Sequence, residues 1–93
     1  MITANYRNAT DIVAQILKSV QDSNDGRITK PQLMYKAFLS FEQLNKYLPM
    51  LTDSGLLDYD DESERYYKVT DKGMKFLKMY DKIIEYVSIM PEV

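Results

Sequence analysis

The sequence predicts an α+β fold that is mainly helical, with four helices, one short strand, and a two-stranded hairpin between the third helix and the last. Three observations carry this. Apolar residues recur at helical spacing near both ends of the chain and in its middle. Two capping-box signatures, Thr29-x-x-Gln32 and Ser40-x-x-Gln43, open two helices in close succession. Two tyrosine-bearing stretches flank the acidic tip at 61–64, which is a hairpin by length and composition.

The elements follow in chain order. In NATDIVAQILKSVQD, the residues Ile12, Val13, Ile16, Leu17 and Val20 form one stripe, with Asn8 or Thr10 as cap and Asp11 suiting the positive helix end. Asp25-Gly26 closes that segment with turn chemistry. Arg27-Ile28 is a brief extended stretch. A helix of about two turns then starts at Thr29, with Pro31 tolerated in its first turn and Leu33, Met34 and Ala37 as its apolar face. The third helix starts at Ser40, lines Leu44, Leu48 and Leu51 along one side with Phe41 and Tyr47 flanking, and ends at Gly55. Pro49 predicts either a kink or an early end. Strands follow at Leu56–Asp60 and Arg65–Thr70, the second placing Tyr67 and Val69 opposite Tyr66 and Lys68. Thr70 caps a final helix that Pro91 stops. Tyr35, Tyr47 and Tyr67 are expected in the core, and Tyr59 and Tyr66 exposed on the hairpin.

Two short helices joined by a tight turn, followed by a hairpin, form the winged helix-turn-helix arrangement. The wording of the chain adds to its order. LMYKAFLSFEQLNKYLPMLTDSGLL, followed by YYKVTDKGMKFL, resembles the small archaeal winged-helix DNA-binding proteins, in particular the Sulfolobus type that dimerises through a long C-terminal helix. The shared features are Met-Tyr near the end of helix two, an L-S turn into helix three, a G-L-L strand start, and the Y-x-V-T-x-K-G-x-x-F-L junction into the last helix. The resemblance covers roughly positions 9 to 82. It implies that Ser40–Ser54 is the recognition helix, that Leu56–Thr70 is the wing, and that Asp71–Met90 is one strand of an antiparallel coiled coil. The expectation is a single winged-helix domain over 1–93, with its core at 8–70 and its dimerisation helix at 71–90.

Composition narrows the chemistry. With no cysteine and no histidine, the 93 residues offer no disulfide, thiolate nucleophile, Cys/His zinc site or imidazole acid–base catalyst. No nucleophile–base pair or phosphate-binding loop is visible, so the reading is not an enzyme, with no cofactor and no small-molecule ligand. No apolar run approaches the ~18 residues that span a bilayer. The start MITANYRNATDIVAQ lacks a signal peptide's basic and apolar blocks, and a cytoplasmic location away from membranes is expected. The run at 58–64 lacks the glycine turn and ligand spacing of a calcium loop, so no metal site is expected.

Net charge is −2 but segregated. Positions 27–46 carry Arg27, Lys30, Lys36 and Lys46 against Glu42. Positions 53–64 carry six carboxylates and no base, and 65–82 carry Arg65 with Lys68, Lys72, Lys75, Lys78 and Lys82 against Asp71 and Asp81. Such segregation is a field that a partner can read. On the third helix, Glu42, Lys46, Pro49 and Asp53 lie opposite the leucines, with Gln43, Asn45 and Met50 at the flanks. Gln43 and Asn45 suit adenine edges, and Lys46 suits guanine or phosphate. Lys30, Lys36, Lys46, Arg65 and Lys68 are the candidate phosphate contacts. In the last helix, Phe76, Tyr80, Ile83, Val87 and Met90 recur at heptad spacing, widened by Leu77 and Ile84. They suit a homodimer seam; a helix folded back over the first one is the other reading of that stripe.

The expected function is therefore double-stranded DNA binding by a small dimeric transcriptional regulator of archaeal type, reading the major groove with helix 40–54. The alternative is a protein–protein interaction module that uses the acidic wing and has no DNA partner.

Overall fold

The computed structural model describes residues 8–61 and 65–89, the last three as backbone. Helix α1 (Ala9–Gln21) starts at Asn8, whose side chain accepts from the Asp11 amide at 2.9 Å, so Asn8 rather than Thr10 is the cap. A single 3-10 turn at Asn24–Gly26 leads into β1 (Arg27–Thr29), then α2 (Lys30–Ala37) and α3 (Phe41–Asp53). The hairpin is β2 (Leu57–Asp60) and β3 (Tyr66–Val69), and α4 (Asp71–Ile89) completes the chain.

The hairpin is not a lone pair. β1 joins it as a third strand, all antiparallel, in the order β1-β3-β2. Arg27, Lys68 and Asp58 form one cross-strand row, and Ile28, Tyr67 and Tyr59 form the next. Successive rows face opposite sides of the sheet. The second row faces the core at Ile28, which is buried, and at Tyr67, which is half-buried, while Tyr59 stays exposed as expected, its ring 4.6 Å from that of Tyr67.

One core joins the elements. Ile16, Leu17 and Val20 of α1 are fully buried with Leu33 of α2, Leu44 and Leu51 of α3, and Leu57 of β2. Tyr47 is buried and Tyr67 half-buried against this core, as expected, but Tyr35 is 80% exposed. The reason is the phase of α2: its two turns bury only Leu33 and Ala37, and Tyr35 falls on the opposite side.

The second helix of the pair is set by its own residues. Ser40 Oγ accepts from the Gln43 amide and Gln43 Oε1 accepts from the Ser40 amide, both at 3.0 Å. At α2 the matching Gln32 Oε1 accepts from the Thr29 amide at 3.1 Å. Helix α3 does not end at Pro49 but runs to Asp53, where Gly55 at φ 83° turns the chain into β2.

Helix α4 gives the molecule its length, with principal extents of 49 × 26 × 23 Å. Its first half packs on the domain through Gly73, Phe76, Leu77 and Tyr80, while every side chain from Asp81 to Tyr86 is exposed.

Candidate nucleic-acid interface

Three leucines and Tyr47 fix how α3 is presented. With Leu44, Leu48, Leu51 and Tyr47 inside, Glu42, Gln43, Lys46, Pro49, Met50 and Asp53 are exposed. Gln43 uses its carbonyl oxygen in the cap, which leaves its amide NH₂ to face outward. Lys46 is exposed, its ammonium 5.7 Å from the Tyr47 ring centroid.

One flank of α3 is tied to the start of α2. Lys30, the first residue of α2, donates to Asn45 Oδ1 and places its ammonium 4.3 Å over the Phe41 ring. Among the described residues no carboxylate lies within ion-pair distance of Lys30. The two contacts join the start of α2 to the first turns of α3. Below them runs an open groove of about 270 Å³ between α3 and the sheet, lined by Asn45, Pro49 and Thr52 on one side and Tyr59 and Tyr67 on the other. Burial, and then the neighbouring Tyr59, push the Tyr67 phenol above the ordinary tyrosine pKa.

The remaining predicted cations do not join this flank. Lys36 lies across α2, its ammonium 3.4 Å from Ser23 Oγ beside Asp22 and Arg27. Lys68 stands on the outer face of the sheet, between Arg27 and Asp58 in register. Arg65 is exposed at the start of β3, with a left-handed φ of 55°. The structure thus gathers Lys30, Asn45 and Lys46 about α3 and disperses Lys36, Arg65 and Lys68.

Arg27 stands in the same cross-strand row as Lys68 and makes contacts that no local sequence pattern foretells. Its guanidinium donates to the Tyr66 hydroxyl at 2.8 Å and stacks 4.7 Å from that ring, with Asp25 at 3.9 Å. The β1–β3 register creates this pair, and only the extended Arg27-Ile28 stretch hinted at it.

The predicted seam of α4 divides as well. Phe76 and Tyr80 pack against their own domain, whereas Ile83 is 56% and Ile84 40% exposed. The Val87 side chain and Met90 lie outside the described residues, as do Glu62, Ser63 and Glu64 of the acidic tip. Among the described residues no carboxylate cluster has the makings of a metal site, and no helix is long and apolar enough to cross a membrane.

The architecture is thus a helix-turn-helix whose second helix exposes one side beside a three-stranded sheet. A family model for winged helix-turn-helix proteins matches residues 6–88. The chain belongs to the winged helix-turn-helix family. Among solved structures, this winged helix is similar to Sso10a-2, a DNA-binding protein from Sulfolobus solfataricus, with a TM-score of 0.75 and 23% identity. The match covers 88% of this chain and 83% of that one. No curated protein matches this winged helix.

Proposed function

We propose that this winged helix binds double-stranded DNA as a small dimeric transcriptional regulator, with α3 in the major groove of each half-site. The observation that carries the reading is the Lys30–Asn45 contact. An ammonium without a counter-carboxylate is held beside an amide on the flank of a helix capped at its start. In that arrangement Asn45 and Gln43 address base edges, Lys46 meets guanine or phosphate, and Lys30 neutralises phosphate. Arg65 and Lys68 contact phosphate from the second strand of the wing. Lys36, on the far side of α2, contributes least. The likeness to a protein described as DNA-binding supports the reading through the fold. The second copy docks along α4 through Ile83, Ile84, Val87 and Met90, in a cytoplasm of archaeal type.

A second reading is favoured by the exposed carboxylates. Asp58 and Asp61 stand exposed on the wing, and Glu42 and Asp53 on α3. Together they suit a basic protein partner.

Fluorescence anisotropy with mixed-sequence duplexes, at low and then physiological salt, separates the two. Binding that weakens steeply with salt, with a light-scattering mass of two chains, is expected. No binding at low salt rejects DNA as the partner and leaves the acidic surface as the site.

A further inference from the structure

Three aromatic residues on or beside the turn between α2 and α3 are exposed: Tyr35 at 80%, Phe38 at 88% and Phe41 at 54%. Phe38 is the most telling of them. It caps α2 at φ 56° and ψ 43°, the left-handed region that glycine or asparagine fills with least strain. The conformation itself has a purpose, since it lets the Phe38 and Leu39 amides both return to the Met34 carbonyl. It does not require a benzyl group. Phenylalanine here is unfavourable on two counts: a strained backbone, and apolar surface left in water. An exposure of 88% leaves little contact within the chain in return.

Charge identifies what covers these rings. The Lys30 ammonium lies 4.3 Å over the Phe41 ring and has no carboxylate in ion-pair range among the described residues. Glu42 is turned about 100° round the helix from Phe41. Exposed apolar rings with an unneutralised cation over one of them suit a surface offering apolar groups beside negative ones. Duplex DNA has that character, with deoxyribose rings and thymine methyls next to phosphates.

We infer that Tyr35, Phe38 and Phe41 form an apolar docking edge for duplex DNA, packing on sugar and thymine-methyl surface beside the groove that α3 enters. The inference rests on the DNA-binding reading above. The edge adds affinity that is insensitive to salt, because covering neutral rings releases no counterion.

The test is Phe38→Gly in the full chain, with anisotropy on a mixed-sequence duplex over a salt series, thermal melting and light scattering. Affinity is expected to fall about tenfold at every salt concentration, with the slope of log K against log salt unchanged. The mass stays the same, and the Tm stays level or rises, because glycine takes this φ without strain. Phe38→Asn, which also tolerates the left-handed region, is expected to repeat the loss. Equal affinity of parent and variants overturns the edge and leaves the DNA reading standing. A flatter salt slope, a lower Tm or a halved mass in both variants also overturns it, the last by assigning Phe38 to a second copy. A parent chain that does not bind DNA overturns both the edge and the reading beneath it.

Discussion

The Tyr80 hydroxyl donates to Asp11 Oδ1 at 2.6 Å, joining the third turn of α4 to the first turn of α1 across 69 residues of sequence. Phe76 stacks on Tyr80 at 6.3 Å, and Lys18 lies 5.6 Å over the same ring while pairing with Asp81 at 3.1 Å. These contacts fix the direction in which α4 leaves the domain. Tyr80→Phe is expected to lower stability by about 1 kcal/mol, the ordinary net worth of such a bond. Urea unfolding of Tyr80→Phe, Asp11→Ala and the double variant measures it. A coupling of about 1 kcal/mol is expected, and strictly additive losses reject the bond as a contributor. The exposed Lys18–Asp81 pair contributes less.

Gly73 sits where the last helix meets the hairpin, and its lack of a side chain is a requirement. A Cβ there meets the Leu56 carbonyl oxygen at 2.4 Å and Val69 Cγ1 at 2.7 Å. The oxygen belongs to backbone that also accepts from the Thr70 amide at 3.2 Å, so it has little freedom to move. Gly73→Ala is expected to cost about 2 kcal/mol or more through overpacking. In thermal melting that corresponds to a Tm lower by roughly 10 °C for a domain of this size.

Alkaline pH reads the inner face of the sheet. Burial and then Tyr59 raise the Tyr67 pKa, so the folded chain holds that phenolic proton more tightly than the unfolded chain does. The associated stability is complete below the unfolded tyrosine pKa of about 10 and is lost as pH rises through the folded value. Unfolding free energy measured from pH 8 to 11 is expected to fall less steeply in Tyr67→Phe. Identical slopes reject the assignment.

The two lysine environments separate DNA contacts from solvated charge. Lys30→Ala and Lys46→Ala are each expected to weaken duplex binding and to reduce the salt slope by about 0.9 for each phosphate that the variant leaves unneutralised. Lys36→Ala, which removes a cation facing Ser23 on the far side of α2, is expected to leave the slope nearly unchanged. Anisotropy over one salt series compares all three. An equal loss from Lys36→Ala places the DNA across α2 instead of α3.

Local chemistry was legible where the cause was local. Ser40 and Gln43 announce the start of α3 because their bonds span three residues, and the Leu44, Leu48 and Leu51 stripe states which side of it is hidden. Thr70 declared itself a cap in the same way, its Oγ1 accepting from the Gly73 amide at 3.0 Å. Long-range register was not legible. The pairing of β1 with β3 puts Arg27 beside Tyr66 and Lys68, and no sequence period encodes which residue stands opposite which. Tyr35 misled because α2 is too short for its apolar residues to define a phase. The side on which Lys36 stands was not legible for a related reason: charge counted along the chain carries no information about which side of a two-turn helix it faces.

Helix α4 supplies the sharpest test of assembly. Its packing on the domain ends near Tyr80, and beyond that point Ile83 at 56%, Ile84 at 40% and Tyr86 at 73% exposure put apolar surface into water. Heptad spacing continues through that stretch, and a two-fold partner helix covers the same residues on both chains at once. The parent chain is expected to scatter light as two chains, and Ile83→Glu as one, because a buried carboxylate at the seam has no partner there. Retained far-ultraviolet circular dichroism and a cooperative melt would show that the variant domain still folds. Its DNA affinity should fall with the loss of the second half-site, while a single duplex half-site binds parent and variant domains alike. A parent mass of one chain at high micromolar concentration removes the dimer from the proposal. A variant that remains a dimer moves the seam away from Ile83.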